Sequence, residues 1–374
     1  MPNRAGNIRS LALLRGLAVL AVMWDHVVGE WTTNHGRSWI PLRTVQDWVS
    51  NPLAIIQNFG FLGVCIFFLV SGYIISEVAV RETRTAFVVK RVLRIYPGLI
   101  VSILVILGIL ALRPHIGLGT VEGNVGVGQT IWALTLVNYV RATQAPVNGV
   151  AWSLAIEVLF YVLVFATVGL LRRRPVIAIL VELALIALVI DTARGFPVTR
   201  FIPNWFLLAA NLSYLPLLVI GQAVWLWSTK RCSALVAATL GALAWFTFVF
   251  GMRRLLTPFL AADNSYGVSV ALALTIFIVT LRNEEHIRVP RSIAAVSVVS
   301  YSVYLIHGPV TGVVMDGLSP DLPFTISLAI ALAALAVVAV LMWRCVELPS
   351  QALARRLLLR RSKRAVEPAA ESRS

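Results

Sequence analysis

The chain has 374 residues, of which 59% are hydrophobic and only 13% are charged, and its mean hydropathy is +0.84. A soluble globular domain carries about 25% charged residues, so these values exclude a single water-soluble domain and indicate a protein that has lipid as its solvent. The net charge is +15, but the basic residues stand in short clusters between apolar runs, which disfavours nucleic-acid binding and favours contact with anionic lipid.

Apolar stretches long enough to cross a bilayer follow one another along most of the chain. A transmembrane helix needs about 17–25 mainly apolar residues. The pattern therefore predicts an all-α membrane protein of about ten spans, with a membrane domain over 1–349 and a basic, partly disordered tail over 350–374. The predicted spans are 11–29, 54–76, 95–112, 150–171, 175–193, 204–227, 234–252, 266–281, 293–315 and 324–346.

An eleventh stretch, 125–140, is shorter and contains polar residues and glycines. If it does not cross, 24 of the lysines and arginines lie on the cytoplasmic side and 8 outside; if it crosses, the division becomes 13 against 19. Cytoplasmic loops carry the excess of positive charge. We therefore expect ten spans, cytoplasmic N- and C-termini, and an external loop over 113–150 that is either re-entrant or lies on the surface.

Two ionisable residues lie on one face of the first predicted span. Arg15 and His26 are eleven residues apart, so on an α-helix they point in nearly the same direction and are separated by roughly 16 Å along the axis. Ionisable groups inside a membrane are costly and often functional. The alternative is that Arg15 reaches phospholipid headgroups and His26 is an interfacial residue.

Two short motifs follow in the second and third spans. Ser71 and Gly72 lie in an apolar helix, where small residues often serve helix packing. Arg91 and Arg94 share a helix face at a spacing of three residues, which suits a phosphorylated ligand. Anchoring of the helix end by positive charge is an equally good interpretation of this pair.

Further polar side chains occur in the fourth and ninth spans. Glu157 lies about 7–8 Å inside the fourth span, where a carboxylate needs either a proton or a partner. Tyr301, Tyr304 and His307 recur at intervals of three residues along the ninth span. Glu347, at the end of the last span, is expected to form a salt bridge with a basic neighbour.

Together these strings resemble the acyltransferase-3 family of integral membrane O-acyltransferases. Each string is weak alone, but their order along most of the chain is specific. The matching features are Arg15 and His26 with ten residues between them, Phe-Phe-x-x-Ser-Gly at 67–72, Arg-Ile-Tyr-Pro at 94–97, Trp-Ser-Leu-x-x-Glu at 152–157, Ser-Tyr-x-x-Tyr-Leu-x-His at 300–307, and Glu-x-Pro at 347–349.

The resemblance implies transfer of an acyl group, usually acetyl, from cytoplasmic acyl-CoA to a hydroxyl group of a glycan or a small molecule such as a macrolide. It implies a multi-pass protein of the cytoplasmic membrane and, because little sequence follows the last span, a stand-alone member without a C-terminal hydrolase-like domain. No permanently bound cofactor and no metal site are expected.

The predicted site residues divide by role. His26 is the expected general base, because neutral imidazole titrates in the right range, with Glu157 or His307 orienting it or handling the second proton. The remaining expectations are Arg15, Arg91, Arg94 and Ser71 for acyl-CoA, and Trp152, Ser153, Tyr301 and Tyr304 for the substrate. The alternative function is a proton-coupled small-molecule transporter that uses His26, Glu157 and His307 as a relay.

Overall fold

The computed structural model describes residues 9–112, 125–141, 146–193, 204–256 and 265–371, with the side chains of the last helix described as far as Leu359. No strand occurs within these ranges. The first helices are α1 Arg9–Met23, α2 Trp31–Asn34, α3 Ile40–Val45, α4 Gly60–Arg81, α5 Arg84–Leu112, α6 Val127–Leu134, α7 Trp152–Arg173 and α8 Pro175–Ala193.

The second half of the chain continues the helical pattern. Its helices are α9 Trp205–Leu212, α10 Leu215–Ser228, α11 Ala234–Gly251, α12 Ser265–Arg282, α13 Arg291–Val298, α14 Ser300–Leu318, α15 Phe324–Met342 and α16 Leu348–Glu371. Short π-helices at Trp24–Glu30, Gln46–Ser50, Met252–Leu256 and Trp343–Glu347, and 3₁₀-helices at Gln57–Phe59 and Val137–Val140, extend or join them.

The prediction of an all-α membrane protein is confirmed. Eight helical stretches of the described residues are long and apolar enough to cross a membrane, the bent pair α13 and α14 makes a ninth, and Tyr266–Arg282 is a shorter apolar helix. Each of the ten predicted stretches coincides with one of these. Peripheral helices expose Leu188, Phe246 and Val337, as expected for residues that face lipid tails.

The ninth predicted span, 293–315, is not one straight helix. α13 and α14 meet at an angle of 79° because Val299 between them leaves helical geometry, with φ −95° and ψ 8°. α13 packs against α1 at Gly16, where an added Cβ would lie 2.9 Å from the carbonyl oxygen of Ile293. The backbones of the two helices are therefore in close contact, which only a glycine permits.

The helix α4 forms the centre of the bundle and packs against α1, α7, α10 and α12. At its crossing with α10 two glycines face the opposite backbone: a Cβ on Gly72 would lie 1.9 Å from the carbonyl oxygen of Leu218, and one on Gly221 would lie 2.1 Å from that of Leu69. Small residues allow such close helix approach in membranes. The glycine of the Ser71-Gly72 motif thus serves helix packing.

The described part of the 113–150 segment contains no helix long enough to cross a bilayer. The helix α6 has eight residues and is separated from the 3₁₀ turn Val137–Val140 by Leu136, which is left-handed at φ 61°. The turn packs on α9, because Asn211 donates a hydrogen bond of 2.8 Å to the carbonyl oxygen of Tyr139. Residues 113–124 and 142–145 of the predicted external loop lie outside the described residues.

At the end of the chain α15 continues through the π-helix Trp343–Glu347 into α16. The carboxylate of Glu347 accepts a hydrogen bond from Ser302 of α14, and no lysine or arginine of the described residues forms an ion pair with it. The expectation of a salt bridge is therefore wrong for the described part of the chain: a serine hydroxyl satisfies this carboxylate. The predicted boundary between 349 and 350 falls inside α16.

Candidate active site

A cavity lined by arginine lies among α1, α4, α5, α7 and α14. It encloses about 580 Å³ of space including its open mouth, and its polar wall is formed by Arg15, Arg94, Ser153, Glu157, Ser300, Tyr301 and Tyr304. We call it the arginine cavity. The guanidinium group of Arg15 donates a hydrogen bond of 3.2 Å to Ser300 Oγ.

A second and larger cavity contains the two histidines of the predicted site. It encloses about 1510 Å³ including its open mouth, and His26, Trp152, Tyr304 and His307 contribute to its wall. We call it the histidine cavity. Val64 and Tyr304 line both cavities, so the two spaces meet at these side chains.

His26 and His307 are directly hydrogen-bonded, with 2.9 Å between His26 Nδ1 and His307 Nε2. His307 Nδ1 lies 2.8 Å from the carbonyl oxygen of Tyr304 and 3.3 Å from that of Val303. A carbonyl oxygen only accepts hydrogen bonds, so Nδ1 of His307 carries its proton and its Nε2 accepts one from His26 Nδ1. The network therefore assigns the unprotonated, basic nitrogen of the pair to His26 Nε2.

The backbone around His26 departs from α-helical geometry. A π-helix, Trp24–Glu30, follows α1 directly, and such wide turns are frequent at functional sites. This change of helical phase means that the spacing of Arg15 and His26 does not alone determine their orientation. In the structure Arg15 lines the arginine cavity and His26 the histidine cavity, so the two residues serve the two connected spaces.

The arginines near the arginine cavity form no ion pair with any described residue. No carboxylate oxygen of the described residues lies within 4.0 Å of a side-chain nitrogen of Arg15, Arg91 or Arg94. Lys90, next to this group, is paired with Glu82. Two arginines against the single carboxylate of Glu157 leave the described wall of the arginine cavity with an excess of positive charge, which favours an anion.

The residues predicted to bind acyl-CoA do not all reach this cavity. Arg15 and Arg94 line it, whereas the guanidinium carbon of Arg91 lies 5.7 Å from the ring centre of Phe87 and 5.8 Å from that of Tyr161. Ser71 is not part of its lining. Its hydroxyl donates a hydrogen bond of 3.4 Å to Glu157.

Glu157 stands apart from the histidines. Its carboxylate accepts a hydrogen bond of 2.6 Å from the hydroxyl of Tyr161 and faces the arginine cavity. Within the described residues it has no hydrogen bond to His26 or His307. The role of orienting His26, which the sequence left open between Glu157 and His307, falls on His307 in this geometry.

The four residues predicted to bind substrate are divided between the two cavities. Ser153 and Tyr301 line the arginine cavity, Trp152 lines the histidine cavity, and Tyr304 lines both. Ser153 Oγ lies 2.7 Å from the hydroxyl of Tyr304. The Tyr301 hydroxyl donates a bond of 2.6 Å to the carbonyl oxygen of Ile95, so it is engaged in holding α14 to α5.

Asn148 was missed by the sequence reasoning. Its amide donates hydrogen bonds of 3.0 Å to the carbonyl oxygen of Leu305 and 3.2 Å to Ser102 Oγ. Pro309 lies inside α14 and has no N–H, so the carbonyl four residues earlier, that of Leu305, lacks its helical donor. Asn148 supplies the missing donor next to His307. Pro309 in the sequence indicates that a carbonyl oxygen lacks its donor, but only the structure shows that Asn148 supplies one.

Three carboxylates in the wall of the histidine cavity were also missed, namely those of Asp25, Glu30 and Asp316. Asp25 and Glu30 each bring an oxygen within 4.8 Å of a His26 ring nitrogen and of each other. The sequence does indicate this group, because placing an acidic side chain next to His26 in a membrane-spanning stretch costs free energy and usually serves a function. The donor set of this group is of a kind that metal ions bind, and the expectation of no metal site stays a prediction.

A comparison with protein-family models identifies the family of this chain. A family model described as an acyltransferase domain, that of the acyltransferase-3 family, matches residues 8–343. Nodulation protein 10 of Rhizobium leguminosarum bv. viciae is 30% identical over 186 residues, which are 45% of this chain and 46% of that protein. The match thus spans about half the length of that relative. No solved structure matches the chain significantly.

Proposed function

The chain belongs to the acyltransferase-3 family, and from that membership and the geometry of the two cavities we propose that it is an O-acyltransferase that uses acyl-CoA. That it is a multi-pass membrane protein of an acyltransferase family follows from the family model and the apolar helices. The donor, the acceptor and the roles of individual residues belong to the proposal.

One observation carries the proposal: an anion-attracting cavity and a cavity containing a basic nitrogen meet at Tyr304. Acyl transfer from CoA needs cations for the phosphates of the donor, a base for the hydroxyl of the acceptor, and a place where thioester and hydroxyl meet. The arginine cavity, His26 and the junction at Tyr304 supply these three elements.

Acyl transfer proceeds in two steps. His26 Nε2 takes the proton of the acceptor hydroxyl as its oxygen attacks the thioester carbonyl carbon, which forms the new C–O bond. The C–S bond then breaks, and the thiolate leaves with the proton returned by His26, so that the products are an ester and free CoA thiol. His307 holds the His26 ring in its reactive tautomer throughout.

The donor binds through the cations. Arg15 and Arg94 hold phosphate oxygens of CoA, because guanidinium groups bind phosphate with paired hydrogen bonds. The pantetheine arm then extends along the interior toward Tyr304, which lines both cavities and whose hydroxyl is held at the junction by its hydrogen bond of 3.1 Å to the carbonyl oxygen of Val150. Acetyl is the expected acyl group, and a glycan or small hydroxylated molecule is the expected acceptor.

The test is acyl-CoA turnover by the whole chain purified into lipid nanodiscs. Acetyl-CoA labelled on the acetyl carbon is mixed with a pool of hydroxylated acceptors, and free thiol and labelled ester are both measured. An acyltransferase releases one thiol for each ester formed, and His26→Ala lowers the rate of both by about 10²–10⁴-fold. A proton-coupled transporter releases no thiol and instead moves an acceptor across sealed vesicles in response to a pH gradient, which would refute the proposal.

A further inference from the structure

The histidine cavity has an acidic wall. Asp25, Glu30 and Asp316 line it, and no lysine or arginine is among the described residues of the lining. The arginine cavity beside it carries the opposite charge. Because acyl-CoA is an anion that the arginine cavity attracts, the acidic cavity is left for the acceptor.

The three carboxylates differ in their hydrogen-bonding partners. Asp316 accepts a hydrogen bond of 2.8 Å from Trp31 Nε1 and lies 3.2 Å from His35 Nε2. The other ring nitrogen of His35 lies 2.8 Å from the carbonyl oxygen of Trp31, which holds this ring against Asp316.

Within the described residues, Asp25 and Glu30 have no comparable pair of partners. Asp25 receives one long hydrogen bond, 3.4 Å from Asn58, and the exposed carboxylate of Glu30 has no hydrogen bond or ion pair within the described structure. Their oxygens and a His26 ring nitrogen lie within 4.8 Å of one another. A charged hydrogen bond from an ammonium to a carboxylate spans about 2.7–2.9 Å, so one ammonium group fits between both carboxylates.

We propose that the histidine cavity takes an acceptor that carries a protonated amine close to its reactive hydroxyl, as an amino sugar does, with Asp25 and Glu30 binding the ammonium. This inference rests on the proposed acyltransferase function and adds the acceptor's charge to it. An ammonium between the two carboxylates brings a hydroxyl on a neighbouring carbon to His26 Nε2. Trp152 of the same wall is an aromatic residue of the kind that attracts a cation or a sugar ring. An acceptor with a phosphate or carboxylate is repelled.

The first experiment measures the charge preference of the cavity without relying on turnover. In a chain with Cys232→Ser and Cys345→Ser, a single cysteine is introduced as Asn34→Cys, in the cavity wall, or as Ser38→Cys, an exposed position outside it. The third cysteine, Cys65, is fully buried and is retained, so the two replacements remove the accessible background thiols. Each protein reacts with a quaternary-ammonium methanethiosulfonate and with its sulfonate counterpart, in the presence of EDTA.

The ratio of the two rate constants, cationic over anionic, should be at least about tenfold higher at position 34 than at position 38, because a local negative potential concentrates cations. Glu30→Gln combined with Asp25→Asn should bring the ratio close to that of the control. Asp321→Asn, which removes an exposed acid outside the cavity, should not. Equal ratios at the two positions, or a ratio that both sets of substitutions leave unchanged, would overturn the inference.

The second experiment compares glucosamine with N-acetylglucosamine as acceptors of acetyl groups, scoring O-acetyl esters only. The amine should have at least a tenfold lower KM, and Glu30→Gln should raise the KM for the amine far more than that for the N-acetyl sugar. Preference for the N-acetyl sugar contradicts the inference, and so does loss of all turnover in EDTA with recovery on adding a divalent cation, which would identify a metal site. Absence of thiol release with every acceptor would instead refute the acyltransferase proposal, whereas the reagent ratios would stand.

Discussion

The Nδ1 atom of His26 lies 2.9 Å from the Nε2 atom of His307, while the opposite side of the His307 ring is fixed on the carbonyl oxygen of Tyr304 at 2.8 Å. Each ring nitrogen but one is thereby assigned a hydrogen-bonding role. The remaining atom, His26 Nε2, is free to accept a proton from a ligand. The two histidines are thus unequal, since one can act as a base and the other sets its tautomer.

The first prediction follows from this inequality. His26→Ala should lower the rate of acyl transfer by about 10²–10⁴-fold, the usual loss when a positioned base is removed. The effect is measured as the release of CoA thiol by stopped-flow and steady-state kinetics. The affinity for acyl-CoA should be unchanged. His307→Ala should be less harmful, and His307→Gln should recover part of the loss because its side-chain oxygen accepts from His26 Nδ1.

His286→Ala serves as the control, because His286 is an exposed histidine that lines neither cavity. A protein with His26→Ala that keeps near-normal turnover, while His307→Ala is inactive, would reverse the two roles. Near-normal turnover in both would show that neither imidazole is the essential base.

The second prediction concerns the donor. Arg94→Gln should raise the KM for acyl-CoA by about ten- to a hundredfold, the loss expected for one or two charge-assisted hydrogen bonds, with little change in the acceptor KM. Arg84→Gln is the matched control, because Arg84 lies near the same end of α5 but stacks on Phe165 instead of lining the cavity. An effect confined to the acceptor KM would contradict the assignment of Arg94.

A separate substitution tests how Arg15 works. Arg15→Lys keeps the charge but loses the planar, paired donors of guanidinium. If Arg15 binds phosphate in that manner, the KM for acyl-CoA should rise nearly as much as in Arg15→Gln. A lysine variant with normal KM would show that Arg15 contributes only its positive charge.

The sequence predicted the spans well and the site in part, for identifiable physical reasons. Hydropathy marks each apolar helix because every one must match the bilayer, but the bend at Val299 depends on packing of α13 against Gly16 of α1. Periodicity placed Arg15 and His26 on one face, whereas the π-helix at Trp24–Glu30 changes that phase. No local sequence pattern encodes the tertiary contacts of the site. These contacts include the partners of Glu157 and the approach of Asp25 and Glu30 to His26.

The third prediction concerns the topology, which rests on charge distribution. Val127→Cys in α6 and Arg173→Cys at the end of α7 should react with a membrane-impermeant thiol reagent from opposite sides of the membrane, since a single span separates the two exposed positions. The measurement uses right-side-out and inverted vesicles in the background that lacks Cys232 and Cys345. Labelling of both positions from the same side would contradict the ten-span arrangement.

The last prediction concerns Asn148, which ties the loop before α7 to α14. Asn148→Ala removes both donors of the amide and leaves the buried carbonyl oxygen of Leu305 without a hydrogen bond, because Pro309 cannot supply one. An unsatisfied buried group costs about 1–3 kcal/mol, so the thermal midpoint of the protein in detergent should fall by several degrees. Asn148→Asp should be no better, since a carboxylate offers no N–H to the carbonyl.

Asn283→Ala provides the comparison, because that amide lies exposed on the end of α12 and bonds only to a carbonyl of its own helix. Its thermal midpoint should stay close to that of the parent. Asn148 also acts on the site, since Leu305 is two residues from His307 and its carbonyl fixes this turn of α14. The Asn148→Ala variant should therefore have a lower turnover even at temperatures where it is folded. The decrease should be similar in size to that of the His307→Ala variant. A folded Asn148→Ala protein with full activity would show that the proline-broken turn holds His307 without help.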